Sequence, residues 1–105
     1  MFNEAYLYFA IDAEIDSKSN GFSLDGQRVL PIPGKEIYYK IASGEHSVDI
    51  TSGTGNEWTV RANVRRKERL KIKLSIHEGN ISDVMYKLSP APFGVSLYAK
   101  KLPQK

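Results

Sequence analysis

The chain has 105 residues, 41% of them hydrophobic and 26% charged, with a net charge of +3 and no cysteine. That is room for one domain around one core, and it excludes disulfides and thiolate metal sites. No run approaches the roughly 18–20 apolar residues needed to span a bilayer, and Met1-Phe2-Asn3-Glu4 carries no basic patch leading into an apolar stretch, so the expectation is a cytoplasmic domain with no membrane insertion.

From Ala5 to Asp16 the sequence alternates, with Leu7, Phe9, Ile11, Ala13 and Ile15 on one face and Tyr6, Tyr8, Asp12, Glu14 and Asp16 on the other. A period of two over that length predicts a half-buried strand. Asp25-Gly26 between Phe22-Ser23-Leu24 and Gln27-Arg28-Val29-Leu30 predicts a tight hairpin, because a type I′ turn needs positive φ at both central residues. Pro31 and Pro33 stop that strand. Glu36 to Ala42 alternates again, Ser43-Gly44-Glu45 reads as a three-residue hairpin loop, and His46 to Thr51 is the return strand.

After a Gly-rich loop, Trp58 to Arg65 places Trp58, Val60, Ala62 and Val64 on one face, and Arg69 to Ile76 does the same with Leu70, Ile72, Leu74 and Ile76. His77-Glu78-Gly79-Asn80 is a turn, and further strands are expected within 81–102, the last of them running from Phe93 to Leu102. Short strands joined by Gly-, Pro- and Asp-rich turns predict one all-β domain over 1–105: a two-layer immunoglobulin-like or prealbumin-like sandwich of roughly seven to eight mostly antiparallel strands.

Within residues 22–76 the order of features resembles PEGA-type domains, small bacterial sandwich modules. The matching pieces are Ser23 to Val29, a proline break, Ile37 to Ala42, Ser43-Gly44-Glu45-His46-Ser47-Val48-Asp49-Ile50, the loop before Trp58, and Leu70 to Ile76. The Pro-Glu-Gly-Ala tetrapeptide that gives these domains their name does not occur. The resemblance implies a non-catalytic accessory module.

Chemistry-bearing residues are sparse. His46 and His77 are the only histidines, and no His-x-His or His-x₃-His spacing exists, so no metal, cofactor or catalytic residue is expected and the chain does not read as an enzyme. Asp12, Glu14 and Asp16 read as a solvated strand face. The unusual cluster is basic. If Arg66-Lys67-Glu68 closes a hairpin, Arg65 faces Arg69, Asn63 faces Lys71 and Arg61 faces Lys73, so that Arg61, Arg65, Arg69, Lys71 and Lys73 form one cationic face. Opposed like charges cost up to about 1 kcal/mol each. The offset is either internal, through Asp12, Glu14, Asp16, Asp49 or Glu68, or external, through an anionic partner. Tyr6, Tyr8 and Tyr38 have outward parity and could form an aromatic platform.

The functional expectation is an accessory or protein-interaction module that meets a protein partner, or itself, through a strand edge such as Val95 to Leu102. The alternative is a polyanion- or carbohydrate-binding domain that uses the basic face.

Overall fold

The structure, a computed structural model, describes residues 4–11, 15, 16, 18–29, 37–89 and 96–103. Ten strands follow in chain order: β1 (Glu4–Ile11), β2 (Gly21–Leu24), β3 (Gln27–Val29), β4 (Ile37–Ala42), β5 (Gly44–Thr51), β6 (Glu57–Val64), β7 (Arg69–His77), β8 (Asn80–Ser89), β9 (Leu97–Tyr98) and β10 (Lys100–Lys101). They form two five-stranded sheets, ordered β4-β1-β7-β8-β9 and β10-β6-β5-β2-β3. The protein is an all-β sandwich, and every pairing among these strands is antiparallel except β1 with β7.

Alternation produces the layers. Leu7 and Phe9 of β1, Leu70, Ile72 and Leu74 of β7 and Val84 of β8 are fully buried, and they face Val48 and Ile50 of β5 and Trp58, Val60 and Val64 of β6. Phe9 meets Phe22 edge-on across the layers at 5.6 Å between ring centroids, a favoured aromatic geometry. Trp58, 2% exposed, is the core anchor that its parity predicts.

Two turns are built as their residues demand. Asp25 and Gly26 have φ of 51° and 84° and close β2 onto β3 with Leu24 opposite Gln27. Glu78 and Gly79, at 51° and 79°, close β7 onto β8 with His77 opposite Asn80.

Two expected hairpins are not hairpins. β4 and β5 lie in different sheets, and so do β6 and β7. Ser43 and the segment 65–68 are arches that carry the chain from one layer to the other. Residue parity does not separate these arrangements, because two adjacent strands with inward apolar rows keep it equally by pairing side by side or by facing each other across a core.

The expected last strand is also divided. Leu97–Tyr98 pairs with β8 in one sheet, Lys100–Lys101 pairs with β6 in the other, and Ala99 between them is buried with its N–H donating to Val84 O at 2.8 Å. The chain thus changes sheets at one edge of the sandwich.

The first strand is described from Glu4 to Ile11, and Asp16, its expected end, is not in a strand. Asp12 and Glu14 lie outside the described residues. Asp16 belongs to a turn and not to a strand row: its Oδ1 accepts the Lys18 N–H at 2.9 Å, an Asx turn that, as the first cause, holds its carboxyl below the usual 3.8. Asn20, 3% exposed, donates to Asp16 O and Gly79 O and accepts from the N–H groups of Gly53 and Ile81. One buried amide therefore ties together three loops at that end of the sandwich, with its donors and its acceptor oxygen all in use.

Candidate anion-binding face

Strand register fixes what the outer side of the β4-β1-β7-β8-β9 sheet presents. One row reads Lys40, Tyr6, Arg69, Ser89. The next reads Tyr38, Tyr8, Lys71, Lys87, and the third Ala10, Lys73, Met85, Tyr98. Among the described residues, five cations share this face, and the carboxylates of the same parity, Glu4 and Asp83, stand at its two ends. Among the described residues, no carboxylate lies within ion-pair reach of Arg69, Lys71, Lys73 or Lys87.

The tyrosines support these cations. Tyr8 and Tyr38 lie side by side, with centroids 4.7 Å apart and planes tilted by 36°. The Lys71 Nζ sits 5.6 Å from the Tyr8 centroid and the Arg69 Cζ 5.8 Å from that of Tyr38. Cation–π attraction of this kind contributes roughly 0.5–1 kcal/mol at exposed sites. Part of the like-charge cost is therefore offset by π faces. The same contacts cover Tyr8, which has outward parity but is only 8% exposed. Tyr6, Tyr8 and Tyr38 do share the face, yet Tyr8 is a pedestal for Lys71 and no open stacking surface.

Arg61 and Arg65 do not belong here. Arg61 lies on the outer side of the other sheet, opposite Ser47, because β6 pairs with β5 and not with β7. Arg65 is in the arch, where its N–H donates to Glu68 Oε1 at 2.8 Å. Glu68 and Asp49 are likewise no offset for the basic face: Glu68 closes the arch, and Asp49 accepts the Thr59 hydroxyl on the second sheet. Lys40 and Lys87 take the places of the two arginines. Their outward parity was readable, but grouping them with Arg69, Lys71 and Lys73 required the strand order.

The opposite outer face is mixed. Its central row runs Arg28, Ser23, Asp49, Thr59, Lys100, with Arg61 one row away and Glu57 at the far end of β6. Bases are segregated on one layer and interleaved with acids on the other.

On the basic face, Lys71, Lys73 and Lys87 line a shallow concavity of about 320 Å³ whose floor includes Ala10 and Met85 and whose margin carries Ser96. Tyr98, 68% exposed, stands beside Met85.

His46 is fully engaged. Its Nδ1 lies 2.6 Å from Asp25 Oδ2 and its Nε2 2.6 Å from Ala42 O, while Asp25 Oδ1 accepts the Ser47 N–H at 2.8 Å. Burial of the ring opposes its charge, but the bonds to Ala42 and Asp25, with the attraction of that carboxylate, outweigh burial and raise its pKa above 6.5. Burial likewise opposes ionisation of Asp25, and the Ser47 N–H and His46 overcome it, so its carboxyl falls below 3.8. A ring with both nitrogens committed has none left to take a substrate proton. His77 is exposed, with Glu78 Oε1 at 3.8 Å.

Among the described residues, no three His, Asp or Glu side chains gather as a metal-holding group, and no helix is long and apolar enough to cross a membrane. No family model, no curated protein and no solved structure matches the chain.

Proposed function

We propose that this chain is a non-catalytic accessory or interaction module that takes an anionic partner on the outer face of the β4-β1-β7-β8-β9 sheet. The observation that carries the reading is the segregation of charge. Lys40, Arg69, Lys71, Lys73 and Lys87 share one face, four of them without a carboxylate in ion-pair reach among the described residues. A fold of this size has no structural need for such a face, since opposed like charges such as Lys71 and Lys87 cost stability. An anionic partner turns that cost into binding energy and faster association. The commitment of both His46 nitrogens supports a binding role over a catalytic one, and the PEGA-like pattern of residues 22–76, with its immunoglobulin-like or prealbumin-like sandwich, is in keeping with an accessory module.

The test is retention on immobilised heparin over a salt gradient, comparing Lys71→Glu with Arg28→Glu, the latter on the far edge strand of the other sheet. Both change net charge equally, so bulk electrostatics predicts equal shifts. The expected result is that Lys71→Glu elutes at markedly lower salt while Arg28→Glu stays near the wild type. Equal elution of the two variants, or no retention of the wild type at physiological salt, would overturn the reading.

A second reading, contact through a strand edge, is favoured by Leu97 and Tyr98, which are 50% and 68% exposed on edge strand β9. Such contact relies on main-chain hydrogen bonds and apolar packing and would persist at high salt.

A further inference from the structure

We infer that the anionic partner is single-stranded nucleic acid, with its backbone lying across the β7–β8 lysines and a base seated on Tyr98. This rests on the proposed binding role of the basic face and names the ligand class. Three features of the face select it.

The first is the spacing of charge. Arg69, Lys71 and Lys73 recur at every second residue of β7, which spaces them about 6.6–6.8 Å apart along the strand. Lys87 directly opposite Lys71 broadens the middle of the track. A flexible backbone with one charge per nucleotide can follow such a line, whereas a rigid duplex meets a broad flat sheet only at its outermost phosphates. The strand elements that enter a major groove are narrow two-stranded ribbons.

The second is an exposed ring beside the track. Tyr98 lies in the row Lys73, Met85, Tyr98, two strand spacings or about 10 Å from Lys73, at the sandwich edge where it lines a groove with Thr59, Arg61, Tyr86, Lys100 and Leu102. It is the most exposed large hydrophobic residue among those described, at 68%. On the other flank, the Arg69 guanidinium lies over Tyr38, itself 49% exposed, and adds a second planar group. Cations that follow a backbone, bordered by π surfaces for unpaired bases, are the working parts of sequence-tolerant single-strand binding. A heavily sulfated glycan or an acidic peptide would rely chiefly on the cations, whereas an unpaired base adds a π face for Tyr98.

The third is the concavity within the track. Lysines 71, 73 and 87 line it, Ala10 and Met85 give it an apolar floor, and Ser96 offers a hydroxyl. Among the described residues its lining holds no carboxylate, and the mixture of cations with an apolar floor suits a sugar-phosphate unit beside the held backbone.

Fluorescence anisotropy with labelled oligo-dT and oligo-U of about twelve nucleotides, within the usual site-size range, tests this on the whole chain. A duplex, a heparin oligosaccharide and polyglutamate serve as competitors. The expected result is binding of both oligonucleotides, with log K falling against log salt at a slope of about −3, as for four phosphates neutralised on a single strand. Tyr98→Ala should weaken binding about tenfold without changing that slope, and Tyr98→Phe should restore it. Tyr98 is exposed, so these variants leave the core intact. Equal affinity of wild type and Tyr98→Ala would overturn the stacking seat. Heparin or polyglutamate bound while the oligonucleotides are not would overturn the ligand class and leave the basic face as a binding surface. No anion bound at all would overturn both.

Discussion

Both nitrogens of His46 point at acceptors, the Asp25 carboxylate and the Ala42 carbonyl, so the ring satisfies them together only as the imidazolium. Ala42 ends β4 in one sheet, whereas Asp25 and His46 belong to the other, and the charged ring therefore buckles the arch at Ser43 to the β2–β3 turn. Glu45 and Arg61 line the same groove. The folded pKa of His46 lies above 6.5, so its contribution is complete below pH 6.5 and is lost as pH rises through the folded value. Asp25 has a folded pKa below 3.8, and its contribution is complete above 3.8 and lost as pH falls through the folded value. The buckle is thus whole between those limits. His46→Gln should lower stability by about 1 kcal/mol near pH 6, in line with a partly exposed charge-assisted pair, and by progressively less towards pH 9. Urea unfolding of the two proteins across that range checks this. A wild-type advantage that stays constant from pH 5 to 9 would mean that the ring is held neutral.

The two arches decide how strands distribute between layers, and each depends on one residue with positive φ. Gly44 has φ of 130°, a conformation that a side chain adopts only under strain, and Lys67 has φ of 68° while its N–H donates to Glu4 O at 2.8 Å. The two positions should respond with opposite signs. Gly44→Ala should destabilise by about 1–3 kcal/mol, whereas Lys67→Gly should stabilise by less than about 1 kcal/mol, since relief of left-handed strain exceeds the added chain entropy. Equilibrium denaturation of both variants measures the pair, and two shifts of the same sign would contradict the arch geometry. These elements also mark where sequence reading ends. Asp25-Gly26 declared its turn because both residues tolerate the φ that the turn requires. Ser43-Gly44-Glu45 and Arg66-Lys67-Glu68 carried the same short-loop signal but lead across the core, which only the competition of all strands for partners determines. The weak face pattern of β8 has a local cause. A bulge opposite Ser75 and Ile76 leaves Ser82 unpaired, so that Ile81 and Val84, three residues apart, are both buried. The basic face was half legible for the same reason. Arg69, Lys71 and Lys73 share a strand and so a parity, but Arg61 was drawn to them by a pairing that does not form, and Lys40 and Lys87 joined them through one that sequence parity does not reveal.

On the scale of the whole molecule, the two outer faces of one sandwich differ in how they treat charge. On the β10-β6-β5-β2-β3 side, the row from Arg28 through Asp49 to Lys100 alternates sign, and Thr59 bridges to Asp49 by a 2.9 Å hydrogen bond. On the other side, Lys71 and Lys87 oppose each other directly, with Arg69 and Lys73 as the next outward residues along β7. A surface shaped for stability alone would interleave the signs on both layers, so the basic layer holds a repulsion that an optimised exterior would lack. Lys87→Glu converts the closest like pair into a cross-strand attraction. It should raise the unfolding free energy by about 0.5 kcal/mol at low salt, with the gain shrinking as salt screens the pair. The same change removes one cation and adds an anion in the concavity, so retention on heparin should fall together with the rise in stability. Opposed movement of the two quantities is the signature of a face kept for binding at the expense of the fold. Denaturation at low and high salt, with heparin retention of the same protein, supplies both readings. A variant that gains stability and keeps its retention would separate the repulsion from the binding role, and one that loses stability would show that Lys87 packs more than it repels.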